Sequence, residues 1–293
     1  MNGFLNVSKP QSITSFDVIR RIRPLIPGVK IGHLGTLDPM AEGVLPLALG
    51  YATRLIEYIS DDTKEYTAEM VLGGTSDTQD ATGQITPYSG CVFDHHTIKD
   101  TMDLFRGEIE QVPPIYSAVH YQGRRLYEYA RKGIEVAPIS RKINIKKLDL
   151  LDLDCQEGLM KVTFQVECSA GTYVRTLCHD IGQKLGCGGY LNRLIRTRSG
   201  PFLLKDAIAL DDINKDRIRQ DLLKAEYPLG DLPHLKLNND QTYCVVHGRA
   251  VDYVEAQPGQ TYLLMGSEGN LLAIARGTIN EDRPVLQPEK VLK

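Results

Sequence analysis

What the chain lacks narrows it first. No apolar run approaches the ~18 residues that a membrane span needs, so no segment is expected to cross a bilayer. The first ten residues have neither the basic start nor the apolar centre of a secretory signal. The six cysteines (91, 155, 168, 178, 187 and 244) form no Cys-x-x-Cys pair and no dense framework. That excludes a zinc finger or a disulfide scaffold and predicts reduced thiols in a cytoplasmic protein. The net charge is only −3, so the chain as a whole does not advertise a polyanion partner, and local distribution must decide. Internal repeats and low-complexity tracts are missing too. What remains, 42% hydrophobic and 24% charged residues over 293 positions, fits a soluble globular protein with one large domain and one small one.

The most informative stretch is Gly32-His33-Leu34-Gly35-Thr36-Leu37-Asp38-Pro39-Met40-Ala41-Glu42-Gly43-Val44-Leu45. Pro39 disfavours the helical region for Asp38 and extends it. Gly35 and Gly43 allow a backbone or a ligand to come close. Asp38 is therefore expected on a rigid loop that leads into a buried strand over 44–49. Such a carboxylate suits a nucleophile or base that reaches into a pocket. The plainer reading is that Asp-Pro initiates a turn, and the dipeptide alone does not decide between them.

Along the rest of the chain, 4–7 reads as a strand. Thr14-x-x-Asp17 resembles a capping box for a helix over 15–22, with Phe16, Ile19 and Ile22 on one face. Arg20, Arg21 and Arg23 serve its dipole or face a phosphate. A short helix is expected over 52–59, then a half-buried strand over 64–73. In the polar loop 75–83, Asp77 and Asp80 are oxygen donors without calcium-loop spacing, and turn chemistry is preferred. An amphipathic helix over 94–105 turns Ile98, Met102 and Phe105 inward. Residues 112–147 carry eight basic side chains against Glu128 and Glu135, with Tyr116, Tyr121, Tyr127 and Tyr129 interleaved. A solvated hairpin and helix would account for this, but so positive an island in an acidic chain favours an RNA-facing lobe. Strands over 143–154 and 159–168 form a hairpin through 156–158. A helix over 173–185 ends at Gly186, and Arg175 in its first turn opposes the dipole, which hints at a site. A basic strand follows over 190–202, a connecting helix over 211–224, a boundary over 227–233, and an all-β barrel pattern over 235–292.

Together these strings resemble the TruB family, bacterial tRNA pseudouridine synthases that act on uridine 55. The resemblance rests on the 32–45 stretch, on Lys64-x-Tyr66 through Thr75-Ser76-Asp77-Thr78-x-Asp80, and on Pro113-Pro114-x-Tyr116-Ser117-Ala118. It rests equally on Cys168-Ser169-x-Gly171-Thr172-Tyr173-Val174-Arg175-Thr176-Leu177 and on the Arg-rich strand to Gly200-Pro201-Phe202. It implies an α+β (mixed α/β) fold. The catalytic domain would span 1–230 on a largely antiparallel sheet, with a basic RNA-binding insertion at about 112–147. A PUA-like RNA-binding β-barrel would occupy 231–293.

The implied reaction turns uridine into pseudouridine with no cofactor and no metal. The N1–C1′ bond breaks, uracil turns while held, and C5 bonds to C1′. The resemblance makes Asp38 the essential carboxylate, with Tyr173 beside C5 and Arg175 paired with Asp38. Tyr66 would stack on the uracil, Leu191 would line the pocket, and His33 would hold splayed bases. Arg124, Arg125 and Arg193 would bind the RNA. Without the resemblance, core packing is the simpler reading of Tyr66 and Tyr173. An Arg⁺ nearby is expected to lower the Asp38 pKa and keep it ionised. Whether Asp38 attacks C1′, attacks C6 or takes the C2′ proton stays open. The implied partner is the tRNA T-arm stem-loop, bound by a monomer without a protein partner. Two alternatives remain: a non-catalytic tRNA-binding or folding factor, and a guide-RNA-dependent relative acting on ribosomal RNA.

Overall fold

Strand pairing organises the molecule. The computed structural model describes residues 1–88, 92–117, 119–134, 136–156 and 159–292. The chain begins β1 (Gly3–Lys9), α1 (Ser15–Ile22), β2 (Ile31–His33), β3 (Glu42–Leu49), β4 (Lys64–Leu72), β5 (Gly74–Ser76), β6 (Ile85–Pro87), α2 (His95–Asp103) and β7 (Gly107–Gln111). A small lobe follows, β8 (His120–Tyr121), β9 (Arg124–Arg125) and α3 (Leu126–Ala130). Next come β10 (Arg141–Gln156), β11 (Leu159–Cys168), α4 (Val174–Leu185), β12 (Gly189–Ser199), β13 (Phe202–Leu203) and β14 (Ile208–Ala209). The last part holds α5 (Lys215–Gln220), β15 (His234–Lys236), α6 (Asn239–Val246), β16 (Val251–Asp252), β17 (Thr261–Met265), β18 (Leu271–Asn280) and β19 (Arg283–Val291).

Ten strands make one sheet in the order β14-β1-β3-β12-β4-β11-β10-β7, with β13 on β12 and β2 on β3. Its pairs are antiparallel except β1–β14 and β3–β12. The fold is thus the α+β class that the sequence implied. A second sheet, β15-β17-β18-β19-β16, is a curled half-barrel. Among the described residues no helix is long and apolar enough to cross a membrane.

The layers follow from side-chain periodicity. β11 alternates, turning Met160, Val162, Phe164 and Val166 inward, and β4 does the same with Tyr66, Ala68 and Met70. Helices α1, α2 and α4 cover that face. α4 comes so close to β12 that a Cβ on Gly182 would lie 2.1 Å from the Gly189 nitrogen. β3 is buried on both faces, which is why its apolar run does not alternate. Leu45, Leu47 and Leu49 pack with the helices. Val44 and Ala48 pack with Phe4, Phe202 and, from the second sheet, Leu263, Leu271 and Ile274.

Four local expectations change. Residues 52–59 form two tight three-residue-repeat turns, Gly50–Arg54 and Ile56–Tyr58, instead of one helix. That geometry puts Ala52 and Leu55, both fully buried, on one side, which an i,i+3 repeat does directly. The helix expected over 211–224 shrinks to α5, capped by Asn214. Beyond it Leu223 exchanges two backbone hydrogen bonds with Phe4 at 2.8 and 2.9 Å, so strand-edge pairing displaces helix. α6 interrupts the region read as all β; its signal was legible as Asn238-x-x-Gln241, a capping box that forms. On α1 the capping box of Thr14 and Asp17 also forms, but the buried face is Val18, Ile19 and Ile22, and Phe16 stands 51% exposed. Part of the 156–158 hairpin tip lies outside the described residues.

Candidate active site

The loop between β2 and β3 presents Asp38. The Asp38 carbonyl accepts from the Ala41 amide at 3.0 Å, closing a turn with Pro39 at its second position. The turn reading of Asp-Pro therefore holds, and the same turn leaves the Asp38 side chain lining the cleft. Buried groups clamp this loop along its length. The Ser15 hydroxyl donates to the Leu37 carbonyl (3.1 Å) and accepts from the Leu37 amide (2.9 Å). Lys9, with no exposed surface, donates to the carbonyls of Pro10 (2.9 Å), Ile13 (2.8 Å) and Pro39 (3.4 Å). Arg196 on β12 is just as buried. Its Nε donates to the Val44 carbonyl at 2.7 Å and its terminal nitrogens to Gly35 (3.3 Å) and Thr36 (3.4 Å). Gly43 lets β3 and β12 meet here. Its φ is +104°, and a Cβ would stand 2.3 Å from the Arg196 carbonyl oxygen.

Arg175, in the first turn of α4, reaches the Asp38 carboxylate at 3.0 Å (Nη2 to Oδ2) and Asp80 at 3.7 Å (Nη1 to Oδ2). These two anions answer the unfavourable helix dipole. Arg175 Nη2 also donates to the Tyr116 carbonyl at 3.0 Å, and its guanidinium lies 5.7 Å from the Tyr173 ring centroid. No side chain caps α4 in the usual way at Tyr173. Instead Gln111, at the end of β7, holds the Tyr173 backbone from both sides. It accepts from the amide at 2.8 Å and donates to the carbonyl at 3.1 Å. Asp80 and Asp77 do turn chemistry, as preferred from the sequence. Asp80 Oδ1 accepts from the Thr78 hydroxyl and the Thr82 amide, both at 2.9 Å, and Asp77 Oδ1 from the Gln84 amide at 2.7 Å.

Electrostatics correct one expectation. Arg175 does pull the Asp38 pKa down, but burial at the cleft floor outweighs it and Asp80 adds to the rise, so the net direction is upward. The Asp38 side chain is still 35% exposed, so it meets whatever enters the cleft. Burial also lowers Lys9 and Lys64 to about 8. It pushes His33 down and Tyr66 up.

Asp38 faces a cleft of about 840 Å³. His33, Tyr66, Tyr173, Arg175 and Leu191 line it, as does Arg125 from the small lobe. Two residues assigned to the RNA from the sequence do not line it. Arg193 is held by Glu42 at 2.8 Å, and Arg124 lies on the exposed β9. The sequence reading missed Lys9, Lys64, Asp80, Gln111 and Arg196 as parts of the site. Asp80 and Arg196 carried one available signal, since a charged residue within a polar motif or a basic strand needs a counter-charge or acceptors once buried. Lys9 and Gln111 carried none.

Comparison with known proteins identifies the family. The model described as TruB family pseudouridylate synthase (N terminal domain) matches residues 23–174, and that of the tRNA pseudouridylate synthase B C-terminal domain matches 175–229. A protein named tRNA pseudouridine synthase B from Syntrophomonas wolfei is 47% identical, covering 100% of this chain and 99% of its own. Another of that name from Heliobacterium mobile is 40% identical, covering 100% and 95%. Among solved structures, a Cbf5-Nop10-Gar1 complex contains a chain with TM-score 0.73 and 29% identity, covering 99% of this chain and 85% of that one. This chain belongs to the TruB family of pseudouridylate synthases.

Proposed function

We propose that this protein isomerises uridine 55 in the tRNA T-arm to pseudouridine, with Asp38 acting on a uridine turned out into the cleft. That it is a pseudouridine synthase with an RNA substrate follows from its family and from relatives named tRNA pseudouridine synthase B. The position in the tRNA and the residue roles are the further step. The observation that carries them is the partly exposed Asp38 carboxylate in the cleft, 3.0 Å from Arg175, with Tyr66 and Tyr173 in the same lining.

A base inside a folded loop must leave its stack before chemistry, at a cost of a few kcal/mol. Stacking on Tyr66, at ~1–3 kcal/mol per base, offsets part of that. The upward pKa makes the ionised Asp38 a stronger base and nucleophile than a free aspartate, while Arg175 preserves its charge. Pseudouridine formation is an isomerisation, so the C5 proton must leave. In this reading Tyr173, in the cleft lining, accepts it directly or through water. Lys64 and Arg125 face the RNA phosphates, while Arg175 stays paired with Asp38. In this reading 1–230 is the catalytic domain, the 112–147 segment grips the RNA, and 231–293 is a PUA-like RNA-binding domain. The enzyme works in the cytoplasm as a monomer without a partner protein.

The test is to incubate the purified chain with an unmodified T-arm stem-loop and nothing else, then map pseudouridine. One pseudouridine at position 55 is expected. Product only on adding guide RNA or further proteins would place the chain with guide-dependent relatives. Tight binding without product would make it a tRNA-folding factor.

A further inference from the structure

The functional reading leaves Phe16 unused. Its helix already buries Val18, Ile19 and Ile22, so the core does not need this ring. Phe16 instead stands 51% exposed on the rim of the cleft. Two guanidinium groups flank it, Arg20 at 5.6 Å and Arg23 at 5.9 Å from the ring centroid. Arg20 is steadied by Asp17 at 2.9 Å, whereas Arg21 turns away to Asp211 at 3.1 Å. Within the same cleft lining, the small lobe offers a second such pair. There the Arg131 guanidinium lies 5.4 Å from the Tyr127 ring centroid.

We propose that Phe16, with Arg20 and Arg23, is a stacking platform for an unpaired RNA base next to the target uridine. The inference rests on the pseudouridine synthase reading and names a subsite of that cleft. An aromatic ring beside cations is the combination that holds single-stranded nucleic acid, because the ring takes the base and the cations take the phosphates. A protein partner fits less well. The cleft beside the platform is lined by Lys64, Arg125, Arg131 and Arg175 against Asp38 and Asp80, a cationic excess that complements a polyanion.

The test is a cycle between protein and RNA, using the full chain and T-arm stem-loops that carry one abasic nucleotide at each loop position in turn. Anisotropy gives affinity, and the same samples are scored for pseudouridine. Phe16→Ala is expected to bind the intact stem-loop about tenfold more weakly, in the range of base–aromatic stacking. It is also expected to raise KM with kcat within about twofold, as uniform binding requires. Phe16→Tyr should restore affinity. One abasic position next to the target should cost the wild type about tenfold and Phe16→Ala almost nothing, since the partner ring is already gone. Equal losses in both proteins at every position would overturn the platform, as would unchanged affinity in Phe16→Ala. Because affinity is read separately, a wild type that binds normally but makes no pseudouridine would sink the functional reading and leave the platform to its own result.

Discussion

At Asp38 two effects of opposite sign meet, and their balance can be measured. The native pKa lies above the ordinary 3.8 because burial outweighs Arg175. The native state therefore holds this proton more tightly than the unfolded chain does. The associated stability is present below 3.8 and is lost as pH rises through the native value. Asp38→Asn is uncharged and escapes the loss. It is expected to be at least as stable as the wild type in urea at neutral pH, with the two curves converging as pH falls toward 3.8. Loss of stability at neutral pH would show that the Arg175 pair dominates instead. Lys9 and Lys64 titrate near 8; losing the proton leaves Lys9 one donor short for its three loop carbonyls and removes the Lys64 charge from the cleft. The kcat/KM profile is accordingly expected to fall on the alkaline side with a midpoint near 8. A profile flat well beyond that value would dismiss both lysines. Residue types and spacing marked Asp38 as a candidate and Arg175 as a hint in advance, whereas Tyr66 and Tyr173 were marked by the family resemblance alone. The sign of the Asp38 shift was not, because it depends on how β3, α4 and the Asp80 turn pack around one carboxylate.

Between elements, the site depends on a cap supplied from a distance. α4 begins at Tyr173 without a side-chain cap of its own, and Gln111 supplies one from β7, 62 residues away. Gln111→Leu leaves the Tyr173 amide unpaired, at about 1–3 kcal/mol, and leaves its carbonyl only the Leu177 amide at 3.0 Å. Tyr173 and Arg175 would then lose their register, so kcat should fall on the order of tenfold while KM stays within about twofold. A change in KM alone would mean that Gln111 merely supports RNA binding. At the β3–β12 crossing, Gly43→Ala meets both a positive φ and the Arg196 carbonyl, so thermal melting should show a loss above ~2 kcal/mol. The sequence showed that a glycine here permits close approach, but not which strand approaches. The same limit explains the shortened helix after residue 214 and the tight turns over 50–58. Local pattern proposes helix there, and contacts with β1 or the core decide otherwise. α1 is the converse case. Its start was plain from Thr14 and Asp17, while the outward Phe16 emerged only once Val18 proved to be the buried neighbour.

Over the whole molecule, charge is distributed more tellingly than its sum of −3 suggests. The small lobe between β7 and β10 places Arg125, Tyr127 and Arg131 on one side of the cleft and α1 places Phe16 on its rim. Arg124→Glu with Arg125→Glu is expected to weaken RNA binding and flatten its salt dependence by about one unit for each phosphate no longer neutralised. An unchanged slope would remove the lobe from the RNA interface. The second sheet shares a core with β1 and β3 through Leu263, Leu271 and Ile274, so it buttresses the sheet face opposite the helices. All of this supports the proposal that Asp38 does chemistry on an everted uridine. The decisive assay is tritium release from a T-arm stem-loop labelled at uridine C5, since forming the C5–C1′ bond must expel that hydrogen. Wild-type chain alone should release the label from uridine 55, and Asp38→Asn should release none while binding the RNA within about tenfold of wild type. Release by Asp38→Asn at the wild-type rate would strip Asp38 of its catalytic role.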